Sequence, residues 1–386
     1  MKVGIFVSSL KTSGAGGVAE VVKNQLIEFS KYPINIDVHH FSKIESDSLI
    51  RSNNITYHSH SINPFKSYNY SSSLRNSIEE MNFDILHTHG LWEYISVAAY
   101  KWKKIHKKPL MISTHGMLDS WALKNSYLKK KFLYYIVEKK YLSSADCIHV
   151  LSQNEANSLK KIRINVPYCL LPNGLNLKSA SKLPVIVNEL YPDKKKLLFL
   201  SRLHPKKGIL QLLHGWKLFI SSYPLASQWI FLIAGWGEEE FIKKIKLYID
   251  KNKLGDSVKL LGPKFNSEKE KLFTQVDMFI LPSLSEGFPI VVLEAWAYKL
   301  PVLITKECNI PDAFVHNAAI EITPDTLDIS NKLKFACGLG DDEINKIGEN
   351  GFELLKAKYT WEENVQKIIG VFEWLTGNRK KPNFIY

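Results

Sequence analysis

The stretch Ser283-Leu-Ser-Glu-Gly-Phe-Pro-Ile-Val-Val-Leu-Glu294 is the most informative part of the sequence, because within it a predicted turn passes into a helix. The mostly apolar residues 276–281 that precede it are predicted to form a buried strand, and residues 282–288 a turn. Pro289 suits the first position of a helix, which apolar residues continue to about Lys299. A strand, a short turn and a helix in this order indicate an α/β domain.

The start of that helix is a candidate anion site. The free amides of Gly287 and Phe288 face outward there, and the aligned peptide dipoles favour a phosphate. Glu286 lies in the loop beside this position, and Glu294 is predicted to reach back toward it, because helical side chains lean toward the N-terminus. Two carboxylates that flank a phosphate suit the hydroxyl groups of a nucleotide sugar. The same spacing also fits two ordinary surface glutamates of an α/β protein.

The length and composition indicate a folded two-domain protein. At 386 residues the chain exceeds the usual size of a single hydrophobic core. No apolar run is long enough to span a bilayer or to form a signal peptide, so the predicted compartment is the cytoplasm. The four cysteines are far apart in the sequence, which argues against a disulfide scaffold and against a zinc site.

Lysine clusters at residues 101–108, 124–140 and 194–196 account for much of the net charge of +13. Aromatic residues are interleaved with the middle cluster, and such a surface suits nucleic acid or anionic lipid. We expect no nucleic-acid partner, because no nucleic-acid-binding motif accompanies the charge. A peripheral contact with the inner face of the cytoplasmic membrane and an ordinary solvated surface both stay open.

Strand-like and helical patterns alternate along the chain in two series. This alternation predicts two doubly wound parallel sheets with helices on both faces. The first series occupies residues 1–172 and the second residues 195–360, with a linker at residues 173–194 that is rich in Lys, Ser and Pro. Because such sheets bind ligands at the carboxyl ends of their strands, we expect a ligand cleft between the two domains.

Basic and glycine-rich turns follow other predicted strands of the second series. Arg202 offers a fork of donors and Lys207 a point charge, and this pair suits a diphosphate. A plain basic turn capped by Gly208 is the alternative. Gly235 lies in a further glycine-rich turn. We expect these turns to line one wall of the cleft together with the 283–294 stretch.

The first series has a glycine-rich turn of its own, Ser13-Gly-Ala-Gly-Gly-Val-Ala19, which follows the first strand and opens a helix. Its backbone is compatible with a phosphate. Gly14, Gly16 and Ala19 also fit the dinucleotide pattern G-x-G-x-x-A, so a dehydrogenase is an alternative. Several residues separate this pattern from the strand, and no acidic residue stands at the end of the second strand, which weakens that alternative.

Histidines lie at the predicted ends of two strands, in Asp84-Ile-Leu-His-Thr-His-Gly90 and Ser113-Thr-His-Gly116. The His-x-His pair is compatible with a metal, but no third ligand is evident and a structural role is favoured. The sequence contains no Asp-x-Asp motif. We therefore expect no metal at the diphosphate, and we expect Arg202, Lys207 and helix amides to offset its charge.

Together these motifs resemble glycosyltransferase family 4, retaining enzymes of the GT-B architecture with two Rossmann-like domains that face each other across a cleft. The resemblance rests on Gly16-Gly17-Val, His115-Gly, Pro172-Asn-Gly174, Ser201-Arg202 to Lys207-Gly208, Ala234-Gly-Trp-Gly and Glu286-Gly-Phe-Pro to Glu294. These motifs cover nearly the whole chain. The resemblance also implies that the C-terminal segment, residues 361–386, packs back on the first domain.

The resemblance implies a role for each matching residue. Arg202 and Lys207 would hold the diphosphate, Glu286 would meet the hydroxyls of the donor sugar, and Glu294 would bind the ribose. The implied catalytic residues are His115, Arg202, Lys207 and Glu286; the donor site adds Gly16, Gly17, Gly235, Gly287, Phe288, Pro289 and Glu294; and the acceptor side has His89, His115 and Asn173.

The implied activity is retaining transfer of a hexose or an N-acetylhexosamine from a UDP- or GDP-sugar to a glycan or lipid-linked acceptor, without metal or cofactor. The stretch from His115 to Asn125 resembles a subgroup associated with cell-surface polysaccharide assembly. Two other functions stay open. One is a nucleotide-sugar 2-epimerase on the same scaffold, and the other is a non-catalytic binder of glycans or of the membrane surface.

Overall fold

The computed structural model describes residues 1–11, 17–41, 50–63, 68–118, 133–177 and 190–386. The chain divides into two compact units. The first comprises Met1–Asn173 and Trp361–Tyr386, and the second comprises Gly174–Thr360. The first division lies close to the boundary predicted at residue 172. Residues 178–189, which form most of the predicted linker, lie outside the described residues.

The described part of the first unit contains a sheet of seven strands: β1 (Lys2–Val7), β2 (Asn35–His40), β3 (Ile55–Ser59), β4 (Ile85–His89), β5 (Leu110–Ser113), β6 (Cys147–Val150) and β7 (Tyr168–Leu170). They pair in parallel in the order β3-β2-β1-β4-β5-β6-β7. Strands β3 and β7 are not predicted from the sequence. Both lie at the ends of this order, β3 has one buried residue and β7 has three residues in all, so neither contains a long apolar run.

The described helices of the first unit that precede residue 174 are α1 (Gly17–Phe29), α2 (Ser72–Ser77), α3 (Tyr94–His106), α4 (Lys139–Ser143) and α5 (Gln153–Lys161). A π-helical turn, Tyr134–Glu138, leads into α4. The hydroxyls of Ser71 and Ser152 accept hydrogen bonds from the first turns of α2 and α5, which satisfies amides that have no partner within the helix. The first residues of the helix predicted from Tyr127 to Leu142 lie outside the described residues.

The second unit contains six described strands: β8 (Lys195–Leu200), β9 (Trp229–Ala234), β10 (Val258–Gly262), β11 (Met278–Leu281), β12 (Val302–Ile304) and β13 (Ile320–Glu321). They pair in parallel in the order β10-β9-β8-β11-β12-β13. The helices are α6 (Ile209–Ser222), α7 (Glu239–Lys251), α8 (Asn266–Phe273), α9 (Ile290–Ala297), α10 (Asp312–Val315), α11 (Thr326–Gly338) and α12 (Asp341–Lys358). Two parallel α/β sheets are therefore confirmed.

Helix α9 begins one position later than the sequence predicts. Pro289 precedes the helix with an extended backbone, at φ −81° and ψ 103°, and Ile290 is the first helical residue. The helix ends at Ala297, and Lys299, the predicted last residue, has a left-handed backbone with φ +55°. The predicted position of Pro289 inside the helix is therefore wrong, although its role at the helix start is kept.

The last helix, α13 (Trp361–Leu375), packs on the sheet of the first unit. The ring of Phe372 stacks on Phe29 of α1 with their centroids 5.8 Å apart. The side-chain amide of Asn364 donates to the carbonyl of Pro172 at 2.8 Å, and Ile385 forms an antiparallel bridge with Cys169 of β7. No described helix is long and apolar enough to cross a bilayer.

Candidate functional site

The second sheet reverses its strand order between β8 and β11. Strands β9 and β10 lie on one side of β8, while β11, β12 and β13 lie on the other. The loops that leave the carboxyl ends of β8 and β11 are therefore neighbours, and doubly wound sheets bind ligands at such a switch point. Arg202 and Lys207 lie in the first of these loops and Glu286 in the second. The fold thus brings three predicted site residues to one edge of the second unit.

Backbone hydrogen bonds join the loops at this edge. The amide of Leu284 donates to the carbonyl of Lys206 at 2.7 Å, which ties the loop after β11 to the loop after β8. The amide of Leu203 donates to the carbonyl of Trp236 at 2.6 Å, which adds the glycine-rich loop after β9. The positions of these three loops are therefore set by the main chain and not by flexible side chains.

Two glycines allow the loops to approach one another. Gly208 has φ +69°, and a Cβ placed on it would lie 2.0 Å from the carbonyl oxygen of Pro282. Gly235 has φ +152°, and its Cβ would lie 1.9 Å from the carbonyl oxygen of Ser201. Both positions exclude a side chain for reasons of packing. Gly235 therefore has a structural role here, and its predicted contact with a donor stays a prediction.

An ion pair between Lys207 and Glu286 lies at the centre of this edge. The ammonium of Lys207 contacts Oε1 of Glu286, and the two side chains are only 12% and 7% exposed. The hydroxyl of Ser283 donates to the same carboxylate oxygen at 2.6 Å. The side-chain amide of Asn309 donates to the backbone carbonyl of Glu286 at 2.5 Å, which fixes the backbone of Glu286 as well.

The carboxyl of Glu286 is ionised in spite of its burial. Burial alone would raise its pKa, because a charged group loses its hydration. The ammonium of Lys207 has the next largest effect, and Lys206 and the hydrogen bonds from Lys207 and Ser283 act in the same direction. Together they outweigh the effect of burial, so that the pKa of Glu286 lies below its ordinary value. The site therefore holds a paired charge of each sign.

Arg202 presents its guanidinium at the surface of the same loop. Its side chain is 55% exposed. The guanidinium forms an ion pair with Glu238, in which Nη2 of Arg202 lies 3.9 Å from Oε1 of Glu238. Exposed pairs of this kind are weak. The guanidinium is accordingly accessible to an anion, whereas the ammonium of Lys207 is already bound to Glu286.

The residues at the start of α9 differ in their exposure. Gly287 is half-buried, and Phe288 and Pro289 are buried. The ring of Phe288 packs against Tyr359 with their centroids 5.5 Å apart. The side chain of Phe288 is thus occupied by a packing contact, and the backbone amides of this segment are what it offers to an anion.

Glu294 has a different partner from Glu286. Its carboxylate accepts a hydrogen bond from the ammonium of Lys269 at 2.5 Å, and its side chain is 18% exposed. The sequence predicts two carboxylates that flank one phosphate site. The structure gives each of them its own lysine, so that neither is an isolated negative charge beside an anion.

His89 and His115 contact each other in the first unit. Nδ1 of His89 lies 3.0 Å from Nε2 of His115, and the two rings stack with centroids 5.2 Å apart. Burial, together with the nearby His149, lowers the pKa of His115 to about 3. Burial and the neighbouring histidines also hold the pKa of His89 well below its ordinary value. Both imidazoles are therefore neutral near pH 7.

A second chain of hydrogen bonds runs across β4, β5 and β6. Nε2 of His149 lies 2.7 Å from the carbonyl of Leu171, so this nitrogen is the donor and Nδ1 is an acceptor. The hydroxyl of Ser113 lies 2.8 Å from Nδ1 of His149 and 2.7 Å from Nε2 of His87. This chain is compatible with a structural role for His87. Among the described residues, no three His, Cys, Asp or Glu side chains are grouped so that they could hold a metal.

The other predicted residues of the first unit are less informative. Gly16 lies outside the described residues. Gly17 is the first residue of α1 and is exposed, with open space where a Cβ would lie. Asn173 is 5% exposed, and its buried Oδ1 atom has no hydrogen-bond partner. The predicted roles of these three residues stay predictions.

Sequence reasoning missed Ser283, Asn309 and Lys269 as partners of the two glutamates. Ser283 lies only three residues before Glu286, so a search for hydroxyl donors within the same turn could have found it. Lys269 and Asn309 belong to other elements. Their contacts with the site depend on the strand order, for which one sequence contains no direct signal.

Comparison with known proteins agrees with this architecture. Residues 15–179 match the family model described as Glycosyltransferase Family 4, and residues 186–354 match the model described as Glycosyl transferases group 1. A crystal structure of Anabaena HepE in complex with UDP and glucose has a TM-score of 0.76 and 17% identity, over 97% of this chain and 99% of that one. At that identity the likeness shows the fold, which is GT-B.

Two curated proteins are similar over most of their length. An uncharacterized glycosyltransferase of Methanocaldococcus jannaschii is 27% identical over 305 residues, which are 78% of this chain and 78% of that protein. The UDP-Gal:alpha-D-GlcNAc-diphosphoundecaprenol alpha-1,3-galactosyltransferase of Escherichia coli is 26% identical over 308 residues, which are 74% of this chain and 75% of that protein.

The packing of the loop after β8 can be tested with two glycines of nearly equal backbone conformation. Gly208 has φ +69° and Gly262 has φ +70°, but only Gly208 faces a backbone atom where a Cβ would lie. Gly262→Ala should lower the free energy of unfolding by about 1–2 kcal/mol, because alanine disfavours a left-handed backbone. Gly208→Ala should cost clearly more, because Pro282 must also move. Urea unfolding measures both changes, and equal losses would show that the two loops separate easily.

Proposed function

We propose that this chain, which belongs to glycosyltransferase family 4 and has the GT-B fold, transfers a hexose or an N-acetylhexosamine from a nucleoside-diphosphate sugar. The proposed acceptor is a glycan or a lipid-linked acceptor in surface polysaccharide assembly. The observation that carries the proposal is the edge of the second sheet, where backbone hydrogen bonds bring Arg202, Lys207 and Glu286 into neighbouring loops. This edge combines cations with a carboxylate, and a sugar diphosphate needs both.

Two of the similar proteins support a uridine nucleotide and a lipid-linked acceptor. The Anabaena structure contains UDP and glucose. The Escherichia coli relative is named for transfer from UDP-galactose to a sugar on diphosphoundecaprenol. Resemblance of the stretch from His115 to Asn125 to polysaccharide-assembly enzymes supports the same class of acceptor. A UDP-sugar is therefore the first donor to test and a GDP-sugar the second.

In the proposed reaction, the cations of the second unit stabilise the leaving diphosphate. The accessible guanidinium of Arg202 binds phosphate oxygens as a fork, and the ammonium of Lys207 adds a fixed positive charge held in place by Glu286. The amides at the start of α9 contribute further donors. We propose that these groups replace a metal ion, because the sequence has no Asp-x-Asp motif for one.

The proposed stereochemistry is retention through attack on the same face from which the diphosphate leaves. Neither of the two carboxylates predicted at the site is a free nucleophile for the opposite face, since Glu286 is bound to Lys207 and Glu294 to Lys269. The departing phosphate oxygen then takes the proton of the acceptor hydroxyl. The neutral imidazole of His115 offers a hydrogen bond to a sugar hydroxyl, in keeping with the role that the resemblance implies for it.

A screen of nucleotide sugars tests the proposed donor. We expect UDP-sugars, or else GDP-sugars, to raise the melting temperature, because a ligand at 100 times its Kd adds about 2.7 kcal/mol to the stability of the folded state. The shift should survive EDTA and should be lost in Arg202→Ala. Lys243→Ala, in an exposed ion pair on α7, is the control that should keep it.

Product analysis separates transfer from the alternative activities. With donor and acceptor together, NMR of the product should show the anomeric configuration of the donor. Net formation of an epimer from the nucleotide sugar alone would instead identify an epimerase. If no nucleotide of any kind shifts the melting temperature, the proposal is wrong.

The buried ion pair makes a prediction about stability as well as turnover. Lys207→Met leaves the carboxylate of Glu286 buried without its cation, which should cost about 3–5 kcal/mol. The double variant Lys207→Met, Glu286→Gln should recover part of this loss, because no unpaired charge remains. Both variants should lose turnover per folded molecule, whereas Lys243→Ala should not. Additive losses of stability in the double-mutant cycle would contradict coupling of the pair.

The pH dependence of stability follows from the same pair. Because the pKa of Glu286 is lower in the folded chain, the unfolded chain takes up a proton first as the pH falls. The stabilisation is therefore complete above the unfolded pKa of about 4.3 and is lost as the pH falls through the folded pKa. Glu286→Gln should remove this contribution, which urea unfolding between neutral and acidic pH measures.

We also propose a peripheral contact with an anionic membrane. Tyr135 and Ile136 are 60% and 51% exposed and precede Lys139 and Lys140. Exposed apolar groups beside lysines suit the surface of an anionic bilayer. Co-sedimentation with phosphatidylglycerol vesicles should fall as salt is added. It should also fall in Tyr135→Ser, and binding that ignores salt and lipid charge would contradict the proposal.

A further inference from the structure

A carboxylate of the first unit holds the backbone around His115. Glu155, on the first turn of α5, is 2% exposed. Its Oε1 atom accepts hydrogen bonds from the hydroxyl of Thr114 and from the amide of Gly116, each at 2.6 Å. These donors flank His115 on both sides. Neither the motifs of the sequence nor the family resemblance assigns a role to Glu155.

The turn that Glu155 holds is strained. His115 and Gly116 have φ +52° and φ +73°, and the amide of Met117 donates to the carbonyl of Thr114 at 3.0 Å. Two successive positive φ values within one such hydrogen bond define a type I′ turn, which favours Asn-Gly or Gly-Gly. A histidine in this conformation costs about 1–2 kcal/mol. Contacts from outside the turn must therefore maintain it, and Glu155 supplies two of them.

Helix capping does not account for these contacts. In a capping box, the glutamate at the third helical position accepts from the backbone amide of the N-cap residue. Ser152 is the N-cap of α5 and accepts from the amide of Glu155 at 3.3 Å. Oε2 of Glu155 accepts from the amide of Leu151 at 2.9 Å, while Oε1 reaches the neighbouring loop. One oxygen is thus directed away from the helix and toward the turn at His115.

The conformation of this turn determines where the imidazole of His115 lies. Its Nε2 atom is 3.0 Å from Nδ1 of His89, which follows from the placement of the turn beside the end of β4. From this geometry we infer that Glu155 is a positioning residue, which holds the His115 imidazole in the orientation needed to contact the transferring sugar. The inference rests on the proposed function, and it adds a residue that acts on the reaction only through His115.

Both side-chain oxygens of Glu155 are needed for its hydrogen bonds with Thr114, Gly116 and Leu151. An ionised carboxylate accepts on both oxygens, whereas the amide of glutamine accepts on one and donates from the other. Glu155→Gln must therefore lose either the contacts with Thr114 and Gly116 or the contact with Leu151. Glu155→Ala loses the contacts with Thr114, Gly116 and Leu151 together. Ser152→Ala is a matched control, because it removes the N-cap bond of the same helix and leaves the carboxylate in place.

Histidine NMR tests the inference without any need for turnover. With ¹³C-labelled histidine, and with the His115 signal assigned by its loss in His115→Gln, the imidazole signals of His115 and His89 should move or broaden in both Glu155 variants. The signals of His39 and His60, which are hydrogen-bonded to each other, are an internal reference and should not move. Ser152→Ala should leave the His115 signal in place. An unmoved His115 signal in both Glu155 variants overturns the inference.

Kinetics test whether this orientation matters for transfer. Glu155→Ala should lower kcat about 100-fold, the size of effect that a displacement of about 1 Å can have, with little change in the KM of the donor. The double variant Glu155→Ala, His115→Ala should have the kcat of His115→Ala alone, and Ser152→Ala should keep the wild-type value. Independent, multiplying losses in the double variant overturn the inference, as does wild-type turnover in His115→Ala. Rejection of the proposed function would appear separately, as the absence of any thermal shift with nucleotide sugars.

Discussion

The contact between Lys207 and Glu286 is the interaction on which the candidate site of the second unit depends. A carboxylate with so little exposure is stable in its charged form only beside a cation. The cation comes from the loop after β8 and the carboxylate from the loop after β11, so the pair forms only if these strands are neighbours. The strand order places them side by side. The buried ion pair therefore requires this strand order.

Glycine residues and backbone hydrogen bonds also hold the loops of the second unit together, in addition to the ion pair. Gly208 and Gly235 let backbones approach to distances at which no side chain would fit, and hydrogen bonds between loops then hold them there. In a site assembled in this way the charges have defined positions before any ligand binds, and such preorganised charge is what stabilises a leaving group. In the first unit, the buried carboxylate of Glu155 similarly holds the turn at His115, a conformation that the backbone preferences of His115 disfavour.

The sequence is most informative where the chain repeats a local pattern. Alternating apolar runs and helical periods predict most strands of both sheets, and motif spacing leads to the residues of the carboxyl edge. The edge strands Ile55–Ser59 and Tyr168–Leu170 escape prediction because they lack an apolar run of useful length. The partners of Glu286 and Glu294 escape it for another reason. Lys207 and Lys269 are both recognisable as basic residues, but which carboxylate each one meets is decided by strand order and not by local sequence.

The return of α13 to the first sheet makes the first unit discontinuous in sequence. The second unit has all of its residues once Thr360 has been synthesised, whereas the first still lacks Phe372, the partner of Phe29, and Ile385, the partner of Cys169. During synthesis from the N-terminus, the unit that begins first is thus the last to be completed. Until then the apolar face that α13 covers has no partner from its own chain, and exposed apolar surface of this kind favours aggregation.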